Sequence, residues 1–181
     1  MSKHYLIALG SNVRHAAYGR PRNVLAAAID RLDGGGIKIS SKADIIASDP
    51  MGPSLRRYAN GAVIIETDLS PEDLLASLQQ IERDFGRTAR GQRWGARVLD
   101  LDIVLWSGGS FASDALIIPH PAFRERAFVL SSAALIAPAW RDPITNLTPK
   151  QLFARLTRPR RAPRGSAGGR ALSSVGRATD F

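Results

Sequence analysis

Asp100 and Asp102 are the residues of this sequence whose types and spacing point most directly to chemistry. They interrupt a short apolar run, 98–106, that is rich in β-formers and predicts a strand. Side chains two apart on a strand point to one face, with Cα atoms about 7 Å apart. Two carboxylates so placed repel each other unless a cation lies between them, and Mg²⁺ prefers such oxygen ligands. The pair therefore predicts a magnesium site; the alternatives are a solvated strand face, or a nearby arginine on each carboxylate.

The segment that precedes this strand is rich in arginine and glycine. Arg87, Arg90, Arg93 and Arg97 fall within eleven residues, with two glycines between them. Arginine offers paired donors to phosphate oxygens, and glycine lets the backbone come close. Cations beside paired carboxylates are typical of phosphoryl transfer, which depends on positioning and charge neutralisation. The segment predicts a phosphate-binding loop, with a solvated basic turn as the alternative; Trp94 within it either packs or covers a flat ring.

Composition excludes several classes of protein. The 181 residues are 44% hydrophobic and 23% charged, as expected of an ordinary globular domain. Cysteine is absent, which excludes disulfides and thiolate chemistry. No apolar run reaches 18 residues, so a cytoplasmic protein without membrane association is expected. The net charge is +9, but residues 158–181 carry six arginines and one aspartate, which leaves +4 elsewhere, and no nucleic-acid partner is expected.

The elements that must position the carboxylates follow from turn and capping signals. We expect strands at 5–9, 37–46 (with a bulge near Ser40) and 60–66, followed by the carboxylate strand. Helices are expected from Pro21 to the glycines at 34–36, and from Ser70 to Gly86. This order predicts an α+β fold, a ferredoxin-like antiparallel sheet with its helices packed on one face. Further helices are expected at 126–137 and after Thr148. Residues 1–157 would form one domain, and the basic tail 158–181 would be disordered.

Two other segments allow more than one interpretation. The cluster Gly10-Ser11-Asn12 is expected to stop the first strand, either as a plain turn or as a source of backbone N–H groups. His120 is either structural or, with Arg124 and Arg126 close in sequence, a phosphate contact. A P-loop is excluded, because the sequence lacks the required Gly-Lys-Ser/Thr motif.

Four blocks of this sequence together resemble one enzyme family, the 6-hydroxymethyl-7,8-dihydropterin pyrophosphokinases (2-amino-4-hydroxy-6-hydroxymethyldihydropteridine diphosphokinases). The blocks are Ala-Leu-Gly-Ser-Asn at 8–12, Ile-Glu-x-x-x-Gly-Arg at 81–87, Arg-Trp-Gly-x-Arg-x-Leu-Asp-Leu-Asp-Ile at 93–103 and Pro-His-Pro with Arg-x-Phe-Val-Leu within 119–130. The resemblance runs in order over residues 5–140. It implies a single ferredoxin-like α+β domain.

The resemblance also implies a reaction and a set of site residues. A folate-pathway enzyme of this kind moves the pyrophosphate of ATP to the pterin's hydroxymethyl oxygen and leaves AMP. Asp100 and Asp102 would bind two Mg²⁺ ions, with Arg87 and Arg97 as catalytic cations. The ATP-binding positions would be Gln79, Glu82, Arg93, Trp94, Ile103, His120 and Arg126. The pterin-binding positions would be Ser48, Met51, Gly52, Tyr58, Asn60, Trp94 and Phe128, with the pterin between the Tyr58 and Phe128 rings.

This chain departs from the family pattern in two loops. The segment 48–57 is one residue shorter and more basic than is usual, and Ala89 and Ala96 replace a common arginine and proline. These changes bear on the turnover rate more than on the type of reaction. They are also compatible with a degenerate member of the family that binds pterin without efficient pyrophosphate transfer.

Two other classes of protein also fit part of the sequence. A two-metal nucleotidyltransferase or nuclease would also place paired aspartates on such a sheet. An RNA-binding ferredoxin-like module would need aromatic residues exposed on the sheet, and no predicted strand carries such a set. The end of the tail, 170–181, resembles translation into a transfer-RNA gene, with a nucleic-acid tether as the alternative. Small-molecule substrates and a monomer are expected. No general base is obvious, and Asp102 is the candidate that would assist a metal-polarised hydroxyl.

Overall fold

A computed structural model describes residues 2–48, 58–86 and 97–159 of the chain. Its strands are β1 (Lys3–Ser11), β2 (Ile37–Lys42), β3 (Ile46–Ser48), β4 (Tyr58–Thr67), β5 (Asp100–Trp106), β6 (Phe111–Ala112) and β7 (Ile117–Ile118). Its α-helices are α1 (Pro21–Leu32), α2 (Pro71–Asp84), α3 (Ala127–Ile136) and α4 (Pro149–Thr157), and a 3-10 helix covers Phe123–Glu125. Among the described residues, no helix is long and apolar enough to cross a bilayer.

The main sheet is antiparallel and has the strand order β2-β4-β1-β5, with β3 also paired to β4. This is the predicted ferredoxin-like α+β arrangement. The strand expected at 37–46 is divided into β2 and β3, and its pairing with β4 shifts register between Ile39 and Ser41, where a bulge was expected. β5 lies at the edge of the sheet, and among the described residues no other strand of this sheet pairs with its outer side.

Helix α2 begins as its sequence predicts. Ser70 Oγ accepts a hydrogen bond from the Asp73 N–H at 3.1 Å, and Pro71 occupies the first helical position. The helix ends at Asp84, and Gly86 follows at φ +84°, a conformation that favours glycine at a helix end. Helix α4 is capped in the same way by Thr148 and Gln151, which form a capping box.

The expectation that Gly10-Ser11-Asn12 stops the first strand is wrong, because β1 continues through Ser11. Gly10 pairs with Asn60 of β4 on one side and with Asp100 of β5 on the other. A Cβ at position 10 would lie 3.6 Å from Asn60 Oδ1 and 3.9 Å from Asp100 Cβ. The glycine therefore leaves room between two polar side chains in the middle of the sheet instead of turning the chain.

The sheet is covered by helices on both faces, and a separate apolar core lies on each. Tyr5, Ile7 and Leu9 of β1 pack with α1 and α2 on the first face. Leu6 and Ala8 alternate onto the second face, where they pack with the 3-10 helix, α3 and α4. Two helices therefore pack on one face as predicted, and the C-terminal helices, whose position the sequence pattern does not predict, close the other face.

Candidate active site

Asp100 and Asp102 lie on the second face of the sheet, close to the end where β1 stops. Asp100 pairs with Gly10 and Asp102 with Ala8, whose side chain belongs to the second-face core. Leu101 alternates onto the first face, where it is buried. Both carboxylates are half-buried, and they share a face as their spacing predicts.

Each carboxylate is paired with an arginine. Arg97 Nη1 donates to Asp100 Oδ1 at 2.6 Å, and Arg126 Nη1 donates to Asp102 Oδ2 at 2.8 Å. This is one of the alternatives that the sequence left open for the aspartates, and it balances two negative charges with two positive ones. About a quarter of each of the Asp100, Asp102 and Arg126 side chains is exposed, so solvent screens these pairs only in part.

His120 is the third polar side chain around Asp102. The backbone N–H of His120 donates to the carbonyl of Val104, on the outer edge of β5. The Ala122 N–H donates to His120 Nδ1 at 3.1 Å, which assigns the proton of the neutral ring to Nε2. Burial lowers the pKa of His120, aided by Arg126, and together they outweigh the opposing effect of Asp102. His120 Nε2 lies 3.8 Å from Asp102 Oδ2, so a neutral donor faces the carboxylate.

Glu82 of α2 supports the carboxylate strand from the first face. It is buried, and its Oε1 accepts a hydrogen bond from the Leu101 N–H at 2.8 Å. This N–H lies on the edge of β5 and lacks a partner strand, so the carboxylate satisfies a donor whose burial would otherwise be costly. The residue between the two aspartates is thereby fixed to α2.

Asn12 is a buried residue whose contact with the carboxylate strand the sequence does not reveal. Its Oδ1 accepts from the Arg97 N–H at 2.8 Å, and its own N–H donates to the Arg97 carbonyl at 3.1 Å. The two residues are 85 positions apart, so no local pattern signals the contact. Asn12 Nδ2 is buried and has no hydrogen-bond partner among the described residues.

Three of the candidate pterin-binding residues, Tyr58, Asn60 and Phe128, also lie on the second face. Asn60 is buried and flanks Gly10, opposite Asp100, while Tyr58 stands two residues before it on β4. Phe128, on the first turn of α3, is half-buried and packs against the second-face core. Ser48 pairs with Tyr58 through the backbone of β3. The structure therefore brings Tyr58, Asn60 and Phe128 to the face that carries the aspartates.

Two of the residues that the resemblance assigns to ATP stand apart from the carboxylates. Ile103 is 2% exposed and packs with α1 and α2, on the opposite face from Asp102, so only its backbone is available to a ligand there. Gln79 is exposed on α2. Five further predicted site residues lie outside the described residues: Met51, Gly52, Arg87, Arg93 and Trp94.

A third ion pair fixes the position of the segment that carries His120 and Arg126. Arg124 donates from Nε and Nη2 to the two carboxylate oxygens of Asp142, at 2.8 and 2.6 Å. The side chain of Asp142 is fully buried and also accepts from Thr145 Oγ1 at 2.5 Å. Burial alone would raise the pKa of Asp142, but the hydrogen bonds from Arg124, Thr145 and the Ile144 N–H hold it below its usual value.

The donor chemistry of the aspartate pair suits Mg²⁺. Asp100 and Asp102 offer hard oxygen donors on one face, and no group of three acidic, histidine or cysteine side chains that could hold a metal occurs in the described ranges. Magnesium commonly takes one or two carboxylates and fills its remaining positions with water and phosphate oxygens. The two arginines and His120 supply donors of the kind that phosphate oxygens accept. The arrangement can therefore bind a polyphosphate with its metal.

The family model and two relatives of this chain indicate the same enzyme family. The sequence model of the 7,8-dihydro-6-hydroxymethylpterin-pyrophosphokinase (HPPK) family matches residues 6–138. The chain is 37% identical over 156 residues to the 2-amino-4-hydroxy-6-hydroxymethyldihydropteridine pyrophosphokinase of Pseudomonas aeruginosa, covering 85% of this chain and 93% of that protein. It is 39% identical over 132 residues to the Bacillus subtilis protein of the same name, covering 72% and 75%. An Arabidopsis thaliana folate synthesis bifunctional protein is 37% identical over 127 residues, 25% of its length.

Solved structures share the fold of this chain. Wild-type Plasmodium falciparum HPPK-DHPS with STZ-DHP superimposes with a TM-score of 0.63 at 12% identity. The match covers 86% of this chain and 43% of that one, so the chain spans less than half of the solved protein. At this level of identity the likeness concerns the fold alone.

Proposed function

This chain belongs to the 7,8-dihydro-6-hydroxymethylpterin-pyrophosphokinase family, and we propose that it performs the family's reaction on the second face of the sheet, at Asp100 and Asp102. The reaction transfers pyrophosphate from ATP to 6-hydroxymethyl-7,8-dihydropterin and gives the pterin diphosphate and AMP, a step of folate synthesis. The observation that carries this proposal is the pair of carboxylates on one face, surrounded by Arg97, Arg126 and His120.

Asp100 and Asp102 would hold Mg²⁺, two ions by the family resemblance. When bound there, Mg²⁺ would neutralise charge on the phosphate oxygens and lower the pKa of an oxygen that it coordinates. In the structure, one carboxylate oxygen of each aspartate accepts a hydrogen bond from an arginine. Binding of metal and ATP would therefore require Arg97 and Arg126 to exchange carboxylate oxygens for phosphate oxygens, which are equally suited to a guanidinium.

The phosphate chain of ATP would lie across these cations. Arg97 and Arg126 provide charged donors, and the neutral His120 provides Nε2–H as a donor that adds no charge. Arg87 and Arg93 would add cations from the loop before β5, and Trp94 would border both substrates. Gln79 and the backbone of Ile103 complete the proposed ATP contacts, whereas the buried Glu82 would act on ATP through β5, whose Leu101 N–H it binds.

The pterin would occupy the β4 side of Asp100. Tyr58 and Phe128 would contribute rings to the two faces of the flat heterocycle, and Asn60 would hydrogen-bond to its polar edge. Ser48, Met51 and Gly52 would border the same edge. Because Gly10 has no side chain, the space between Asn60 and Asp100 remains open for the hydroxymethyl group to approach the phosphates.

The chemical step exchanges one phosphorus–oxygen bond for another. The hydroxymethyl oxygen forms a bond to the β-phosphorus of ATP, and the bond between that phosphorus and the oxygen bridging to the α-phosphorus breaks, leaving AMP. The hydroxyl proton would pass to a carboxylate on the face where the hydroxymethyl group would lie, with Asp102 as the proposed acceptor. Arg97 and Arg126 would stabilise the charge that develops on the phosphate oxygens.

The substrates are small molecules, and we propose that the chain acts on them as a monomer in one domain, 1–157. Some relatives carry the match within larger proteins that are named for two functions in folate synthesis. Sedimentation of the purified chain at micromolar concentration tests the monomer: a single species near 19.5 kDa is expected, and a dimer would contradict it.

Product analysis tests the proposed function. Incubation with MgATP and 6-hydroxymethyl-7,8-dihydropterin should yield AMP and pterin diphosphate in equal amounts, separable by anion-exchange chromatography. ADP with pterin monophosphate would indicate an ordinary kinase. Release of free pyrophosphate would favour a nucleotidyltransferase, and a folded protein that forms no AMP would overturn the proposal.

A further inference from the structure

We infer that Asn12 is a positioning residue, which acts on the reaction through Arg97 and, through Arg97, on Asp100. This inference rests on the proposed function, because Arg97 and Asp100 matter to turnover only if they belong to the active site. It concerns a residue of the β1 end that has no assigned role in binding either substrate.

Two hydrogen bonds connect Asn12 to the backbone of Arg97. The Asn12 side chain accepts from the Arg97 N–H at 2.8 Å, and the Asn12 N–H donates to the Arg97 carbonyl at 3.1 Å. One residue thus binds both backbone polar groups of the other. This fixes the position of Arg97, which lies three residues before Asp100 at the start of β5.

The second step connects Arg97 to the carboxylate. The Arg97 guanidinium reaches Asp100 Oδ1 at 2.6 Å, a charge-assisted contact that depends on where its backbone lies. The same side chain would exchange Asp100 for phosphate when substrate binds. A shift of the Arg97 backbone would therefore displace one cation and one proposed metal ligand together.

The third step is the burial of Asn12. Asn12 is 4% exposed, and its Oδ1 is the acceptor that satisfies the Arg97 N–H. Replacement by alanine would leave that partly buried donor, just before β5, without its partner. Among the described residues, Asn12 Nδ2 has no hydrogen-bond partner, so the side-chain hydrogen bond of this residue is the one that its oxygen accepts from Arg97.

Kinetics in a double-mutant cycle tests the inference. Asn12→Ala should lower kcat about 10- to 100-fold, the range found when a residue that hydrogen-bonds to an active-site residue is lost. In an Arg97→Ala background the same substitution should lower kcat by less than about threefold, because its effect depends on the Arg97 side chain. Asn12→Asp keeps the acceptor and should recover kcat relative to alanine. Asn23→Ala, at an exposed asparagine of α1, is the matched control and should equal the wild type.

The outcomes separate this inference from the proposed function. Wild-type formation of AMP establishes the reaction independently of Asn12. If Asn12→Ala lowers kcat by the same factor in the wild-type and Arg97→Ala backgrounds, the positioning role is overturned. A folded Asn12→Ala variant with wild-type kcat would also overturn it. If Asn12→Ala does not fold, Asn12→Asp decides: wild-type kcat with Arg97 still bound to Asp100 in its crystal structure supports the role, and loss of kcat with that contact intact contradicts it.

Discussion

At the scale of single residues, the chemistry proposed for this protein depends on charge balance around two aspartates. Arg97 and Arg126 neutralise Asp100 and Asp102 in the structure. A bare pair of carboxylates would repel the phosphates of ATP, whereas a pair that exchanges its arginines for metal can bind them. The same side chains are therefore paired in the structure, and in the proposed site they would bind the substrate when it arrives.

Loss of one carboxylate should stop the reaction without unfolding the protein. Asp102→Asn is expected to lower kcat by about 10³-fold or more, because it removes both a metal ligand and the proposed proton acceptor. Steady-state AMP formation measures this, with circular dichroism as the check on folding. Asp114→Asn, at an exposed position between β6 and β7, is the matched control. Wild-type kcat in the Asp102→Asn variant would remove this residue from the site.

At the scale of elements, the second-face helices and the loops beside them determine where the cations lie. The Arg124–Asp142 pair connects the 3-10 helix to the loop before α4, and His120 and Arg126 flank that 3-10 helix. The positions of His120 and Arg126 in the proposed site thus depend on a buried ion pair that neither residue belongs to.

Breaking that ion pair should destabilise the protein in a pH-dependent way. Asp142→Asn is expected to lower the free energy of unfolding by about 3–5 kcal/mol, because it leaves the Arg124 charge without its partner. The pKa of Asp142 is lowered from 3.8 in the folded state, so its contribution is complete above that value and disappears as the pH falls through the folded pKa. The difference in melting temperature between wild type and variant should be constant near neutral pH and shrink only in acid. A difference that shrinks as the pH rises would contradict this.

The turn after β5 should tolerate no side chain at Gly108. A Cβ there would lie 2.3 Å from Trp106 Cζ2, and Trp106 stacks on Tyr5 with ring centroids 6.1 Å apart. Gly108→Ala should therefore displace the indole and lower stability by about 1–3 kcal/mol. Thermal unfolding followed by tryptophan fluorescence measures both effects. Ser110→Ala, exposed in the same turn, should match the wild type, and an unchanged melting temperature for Gly108→Ala would refute the clash.

At the scale of the whole molecule, the sequence predicts what depends on neighbours along the chain. Ser70 and Pro71 begin a helix through local capping, and the spacing of Asp100 and Asp102 places both on one face of a strand. The fold class and the family follow from the order of such elements and from four blocks of sequence. These features require no knowledge of which distant segments meet.

Contacts between distant segments account for what the sequence leaves unpredicted. Nothing near Asn12 indicates that it binds Arg97, and nothing near Glu82 indicates that its carboxylate satisfies the Leu101 N–H. The pattern Gly10-Ser11-Asn12 has the composition of a turn, yet pairing with β4, and for Gly10 also with β5, keeps its first two residues in the sheet. The roles proposed for the residues outside the described ranges stay predictions.

The basic tail should be dispensable for the reaction. Residues 158–181 carry few apolar side chains, and the last described helix, α4, ends at Thr157. A chain that ends at residue 157 is therefore expected to keep its kcat and KM for both substrates within about twofold of the full chain, since α4 already completes the second-face core. Loss of turnover in a folded truncated chain would show that the tail contributes to the site.

The fate of the β-phosphorus of ATP tests the central claim most directly. In a single turnover with ATP labelled at the β-phosphorus, the wild-type chain should place all of the label in pterin diphosphate and none in AMP. The Asp100→Asn, Asp102→Asn double variant, folded, should leave the label in ATP. Label that appears in ADP or in free pyrophosphate, or transfer that survives in the double variant, would contradict the assignment of this site to pyrophosphoryl transfer.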